Sequence, residues 1–204
     1  MRRNVLLVLV ICGVMSGWLL EPAFAKKGRR GGGKPAPVSA LTEAEASDLL
    51  FMREEEKLAH DVYITLHAEW NARVFNNISQ AEQRHMNALL GLLDKYGLED
   101  PILGFGKFTD EELQKLYDDL VATGLQSKLD ALMAGALIEE VDIEDIVLAT
   151  KRTNKTDILN IYGNLVAGSE NHLNAFVRNI ESITGKTYIA QHISQKEVDT
   201  ILGR

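Results

Sequence analysis

Between Thr42 and Thr184 apolar residues recur every three or four positions and never settle into alternation, which restricts the chain to helices packed through apolar stripes. Four stretches hold that period long enough for helices of several turns. The first opens on the capping box Thr42-Glu43-Ala44-Glu45 and runs to about Trp70, with Leu58, Ala59, Val62 and Leu66 on its stripe. The second runs from about Phe75 to Tyr96 and stops at Gly97, a natural helix-ending residue. The third covers about Leu125 to Thr150 and the fourth about Thr156 to Thr184, before Gly185. Short turns join the first to the second and the third to the fourth. A long connection joins the second to the third. It holds Pro101, Gly104 and Gly106, then a second capping box, Thr109-Asp110-Glu111-Glu112, that opens a shorter helix to about Thr123. Tyr188 to Ile193 reads as extended, and Ser194-Gln195-Lys196-Glu197 caps a last short helix. The expected fold is all-α: a ferritin-like four-helix bundle over residues 41–204, with a crossover helix and a short C-terminal extension.

The chain ahead of this domain reads differently. Residues 1–25 have the plan of a secretory signal: Arg2 and Arg3, an apolar run from Val5 to Leu20, and Ala23-Phe24-Ala25 as cleavage site. This predicts export, to a periplasmic or extracellular location. Residues 26–40 form a basic linker rich in Gly and Pro, with five of the chain's 22 Lys and Arg and no acid. All but one of the 29 acids lie in the domain, so a basic tether precedes an acidic body. The tether suits contact with an anionic surface; without interleaved aromatic residues it does not suit specific nucleic-acid binding. The single cysteine, Cys12, lies in the signal, so disulfides and thiolate chemistry are excluded from the mature chain and stability rests on the core.

Each long stretch carries an acid or an imidazole on its apolar side. In the first, Glu54, Glu55 and Glu56 stand in a row; at about 100° per residue Glu55 falls within about 20° of the stripe through Val62, and Glu56 about 120° away. In the second, Glu82 and His85 both lie within about 40° of Leu89. In the third, Glu139 and Glu140 straddle the stripe, and the choice between them is nearly even. In the fourth, His172 sits at the stripe's edge. Converging buried carboxylates repel one another and lose solvation, and divalent cations remove both problems. Glutamates from two helices with Glu-x-x-His from two others are the ligands of di-iron and di-manganese carboxylate bundles. The candidate metal residues are therefore Glu55, Glu82, His85, Glu139, Glu140 and His172, with one or two ions of iron or manganese per chain. One position departs from that pattern. Ser169 stands three residues before His172, where a second Glu-x-x-His needs a carboxylate. Glu140 or Asp142 is the available replacement.

Four segments carry a family resemblance. They are Met52-Arg53-Glu54-Glu55-Glu56-Lys57-Leu58-Ala59-His60-Asp61-Val62-Tyr63, Ile78-Ser79-Gln80-Ala81-Glu82-Gln83-Arg84-His85-Met86, Gly135-Ala136-Leu137-Ile138-Glu139-Glu140-Val141-Asp142-Ile143 and Asn171-His172-Leu173-Asn174-Ala175-Phe176. Together they resemble the domain of unknown function 2202, a prokaryotic group placed in the ferritin-like superfamily. The resemblance implies a ferritin-like bundle and brings no activity. Three functions fit the residues. The first is a di-metal oxidoreductase acting on dioxygen or peroxide. The second is a metal carrier without turnover, and the third a metal-free structural bundle. A homo-oligomer is compatible with each.

Overall fold

Thr42 and Glu45 start the first helix by exchanging hydrogen bonds. The Glu45 backbone N–H donates to Thr42 Oγ1 at 3.1 Å, and the Thr42 N–H donates to Glu45 Oε2 at 2.8 Å. The computed structural model describes residues 40–204, so the signal and nearly all of the linker lie outside the described residues. Among the described residues there are six helices and no strand: α1 (Glu43–Trp70), α2 (Arg73–Tyr96), α3 (Glu111–Gly124), α4 (Lys128–Thr150), α5 (Thr156–Thr184) and α6 (Gln195–Ile201). None is long and apolar enough to cross a membrane.

The helix ends follow local chemistry. Asn71 at φ 46° and Gly97 at φ 74° end α1 and α2 in the left-handed region, which asparagine and glycine enter most easily. The cap of α3 is Asp110 rather than Thr109: its side chain accepts the Glu112 and Leu113 N–H groups. Helix α4 starts three residues later than its apolar period suggests, because the Ser127 side chain caps it at the Asp130 N–H.

Helix α1 packs on α2 and α4 on α5, as their short links dictate. Helix α1 also meets α4, and α2 meets α5, so the four long helices close a ring; α3 lies against α1 and α4. Glycine sets one close approach. A Cβ on Gly135 would lie 2.6 Å from the Phe176 ring, so any larger residue there would separate α4 from α5.

The core between these helices is in two pieces. One apolar cluster holds Leu58, Val62, Tyr63, Phe75, Leu132, Leu173 and Phe176. The other holds Leu49, Met52, Leu89, Leu93, Ile146, Tyr162 and Leu165. In α1, α2 and α5 polar, mostly buried residues lie between the two clusters, Glu55 and Glu56, Glu82 and His85, Ser169 and His172, and on α4 Glu139 and Asp142 stand just ahead of Ile143, the last first-cluster residue of that helix. A single polar layer thus interrupts the hydrophobic core. Such a layer costs several kcal/mol unless its groups are paired, protonated or metal-bound.

Candidate metal centre

Helix α1 delivers its glutamates in three directions. Glu54 accepts the Thr109 and Asp110 N–H groups ahead of α3. Glu55 faces Asp145 on α4 and shares a hydrogen bond with it. Glu56 turns inward, and its Oε2 lies 3.0 Å from His85 Nδ1. Glu56, not Glu55, is therefore the α1 group at the centre of the polar layer. The apolar stripe misleads because α1 has no solvent face there: Met52 through Ala59 are all buried. The connection before α3 covers the charged side, taking Arg53 through Asp100 at 2.9 Å and Lys57 through the Lys107 carbonyl at 3.2 Å. With α2, α3 and α4 around it, the mean apolar direction of α1 no longer points at the ring's centre.

Glu82 on α2 is the hub. It is 1% exposed. Its Oε2 lies 2.8 Å from His85 Nδ1, and its Oε1 lies 2.8 Å from His172 Nδ1. Glu139 of α4 brings Oε2 to 3.3 Å from His172 Nδ1, while its Oε1 accepts the Tyr63 hydroxyl at 2.5 Å. The two imidazoles stack, with ring centres 5.6 Å apart. Two triads result, Glu56–Glu82–His85 and Glu82–Glu139–His172. Each offers ligand atoms within 4.8 Å of one another, and Glu82 belongs to both.

Glu140 goes elsewhere. Being about 100° around the helix from Glu139, it leaves the centre and takes the backbone N–H groups of Gln191, His192 and Ile193 and the Tyr188 hydroxyl. Of these two neighbours the tail packed on α4 takes Glu140, and Glu139 faces the polar layer. His60 and His67 are half-buried away from this layer, bonded to Asp61 and to the Ala72 carbonyl. Tyr162 lies in the second apolar cluster, where its charged surroundings are Asp48, Arg152 and Glu45, away from the polar layer. The tyrosine that touches the site is Tyr63, seven residues after Glu56 and so on the same side of α1.

The orphaned atoms test whether a cation fits. Buried side-chain atoms without a hydrogen-bond partner include both Glu82 oxygens, Glu139 Oε2, Asp142 Oδ2, Ser169 Oγ and His172 Nδ1. The Glu82–imidazole separations are short, yet the ring N–H directions miss the oxygens. His85 still bonds Glu56, but both Glu82 oxygens, Glu139 Oε2 and His172 Nδ1 are left with lone pairs and a ring nitrogen that a cation within the two triads would engage.

Electrostatics lead the same way. Burial alone would lower the His85 pKa, but Glu56 and Glu82 outweigh it and raise it to about 10. Burial opposes His172 likewise, and Glu139 and Glu82 raise it to about 11. Burial raises Glu82, yet His172 and His85 hold it down at about 2. Burial pushes Glu56 up to about 8 against the pull of His85. Burial and surrounding carboxylates push Glu55 and Asp142 well above the usual carboxylate range. Without a metal, protons on these carboxyls and imidazoles offset the layer's negative charge.

The family profile described as "Uncharacterized protein domain (DUF2202)" matches residues 45–204. The chain is 42% identical over 168 residues to the uncharacterized protein MJ0754 of Methanocaldococcus jannaschii, covering 81% of this chain and 90% of that one. The crystal structure of hypothetical protein MJ0754 from Methanococcus jannaschii DSM 2661 superposes with a TM-score of 0.79 at 41% identity, over 84% of this chain and 98% of the other.

Proposed function

We propose that this chain, which belongs to the DUF2202 family, is an exported ferritin-like protein that holds iron or manganese in its polar layer and carries out redox chemistry on dioxygen or peroxide. The observation that carries the metal reading is the pair of triads sharing Glu82, with unpartnered ligand atoms buried between two apolar clusters. The helix order, with α3 in the long connection, supports the ferritin-like assignment. Carboxylate with imidazole suits iron and manganese.

Each residue has a part in this reading. Glu56 and His85 would hold one ion and Glu139 and His172 a second, with Glu82 available to both as the residue the two triads share. Tyr63 fixes Glu139 through the hydroxyl it donates. The apolar clusters on either side exclude bulk water from the layer. Bound iron or manganese supplies one-electron chemistry that these side chains lack. A carrier without turnover is the second reading. It is favoured by Ser169, which is neutral where a symmetric site has a carboxylate.

The test is titration of chelator-stripped protein with Fe²⁺ under anaerobic conditions, followed by admission of air. One or two ions per chain and oxygen uptake are expected. Tight binding without uptake selects the carrier, and no binding overturns both readings. Affinity should rise with pH, because an imidazole must lose its proton to bind and both histidines hold theirs into the alkaline range. Each proton expelled contributes about tenfold in affinity per pH unit. Calorimetry in buffers of different ionisation heat would count those protons.

Gly168 on α5 limits the position of His85. A Cβ there would lie 2.5 Å from His85 Cε1 and 2.6 Å from Nε2. Gly168→Ala should leave helicity intact, since alanine favours a helix by about 1 kcal/mol over glycine. It should weaken the His85 ion at least tenfold. Far-UV circular dichroism and metal titration read the two effects separately.

A further inference from the structure

We propose that Asp142 is a ligand-side carboxylate of this centre, supplying from α4 the negative charge that α5 gives up at Ser169. This rests on the metal-binding reading above and deepens it. Three residues separate Glu139 from Asp142. The same step separates Glu82 from His85 on α2, and Ser169 from His172 on α5. Residues so spaced sit about 60° apart on neighbouring turns of one helix face. Helices α2, α4 and α5 thus each present two rungs to the polar layer, and the second rung of α4 is Asp142.

Its surroundings are buried and acidic. Asp142 is 2% exposed, and its Oδ2 has no hydrogen-bond partner. The strongest charges acting on it come from Glu55, Glu56, Glu139 and Glu82, all carboxylates. Glu140, its near neighbour, shows what a structural acid on this helix looks like: three backbone N–H groups and a tyrosine hydroxyl saturate it. Asp142 has no such cradle. On α5, Ser169 is 1% exposed, and its Oγ is also unpartnered. The place where a symmetric site needs an acid is buried and polar but carries no charge.

Charge balance gives the same assignment. Glu56, Glu82 and Glu139 with two neutral imidazoles leave two divalent cations under-neutralised by one unit. Adding Asp142 balances them. A buried net charge is costly, so the ion that lacks a carboxylate is the one held weakly.

The experiment compares wild type, Asp142→Asn and the double variant Asp142→Asn/Ser169→Glu by anaerobic calorimetric titration with Mn²⁺, alongside thermal unfolding of each stripped protein. Wild type should take two ions. Asp142→Asn should keep the first and weaken the second at least tenfold. Its stripped form should melt no lower than stripped wild type, since an acid whose Oδ2 has no partner has been replaced by an amide of the same shape. The double variant should regain the second ion. Asp142→Asn binding both ions with wild-type affinity overturns the proposal, as does a folded double variant that stays one ion short. A wild type that takes a single ion overturns this inference and leaves the metal-binding reading standing; if it takes none, the metal-binding reading itself fails and this inference goes with it.

Discussion

Glu82→Gln should abolish metal binding in both positions while the helices stay folded. Glu82 is the one residue common to the two triads, so a single change removes a ligand from each. An amide is neutral and a poor ligand for iron or manganese, so affinity should fall by at least about two orders of magnitude, as ion titration reads directly. The stripped variant has its own signature. In the metal-free protein Glu82 is held at about 2 by His172 and His85 after burial has pushed the other way. A carboxyl lowered on folding stabilises the fold above its unfolded pKa, and that stability is lost as pH falls through the folded value. Stripped Glu82→Gln should therefore melt below stripped wild type at pH 6–7, and the gap should close as pH drops from about 4.5 toward 2. Breaking a buried ion pair on one side costs about 3–5 kcal/mol. The lower end applies here because the two imidazoles can shed their protons once the carboxylate is gone. Equal melting curves across that range would show that Glu82 does not hold the two histidines.

Glu140→Ala should release the C-terminal segment and spare the metal. Glu140 is 0% exposed and accepts four groups: the Tyr188 hydroxyl at 2.7 Å and the N–H groups of Gln191 at 3.0 Å, His192 at 2.6 Å and Ile193 at 3.1 Å. Truncation leaves those donors without their acceptor. A buried donor so orphaned costs about 1–3 kcal/mol; Tyr188 is buried, but Gln191 and His192 are exposed and regain partners in water, which keeps the total at about 3 kcal/mol. Amide hydrogen exchange should accelerate across residues 188–201, including α6, whose Val198 is buried in the first apolar cluster. Metal stoichiometry should be unchanged. The result separates Glu140 from its neighbour: Glu139→Ala should do the reverse, losing an ion while the tail stays protected. A tail that exchanges no faster in Glu140→Ala would mean that apolar contacts alone hold it.

The helices were legible because their signals are local. Capping boxes at Thr42 and Ser194, and Gly97 and Gly185 in the left-handed region, act within a few residues of where they stand. Glu82, His85 and His172 were legible too, because α2 and α5 each have one apolar side and a polar residue there stands out. Helix α1 defeats the same test. Its run from Arg53 to Lys57 looks like a solvated face, and it is buried because the connection before α3 folds over it. Nothing within α1 reports that cover, so it is Glu56 that meets His85, while Glu55, the residue on the apolar stripe, meets Asp145. The choice between Glu139 and Glu140 depends on a tail some fifty residues later in the chain.

The sequence by itself determined six helices, their order and the presence of an acid or imidazole on each long one, since period and capping are properties of neighbours along the chain. Only the tertiary structure decided which acids meet. Placing Glu56, Glu82, Glu139 and Asp142 in one layer depends on which helices become neighbours and at what height they pack. A rotation of one residue, about 100°, moves a carboxylate from the centre to a neighbouring helix or the tail.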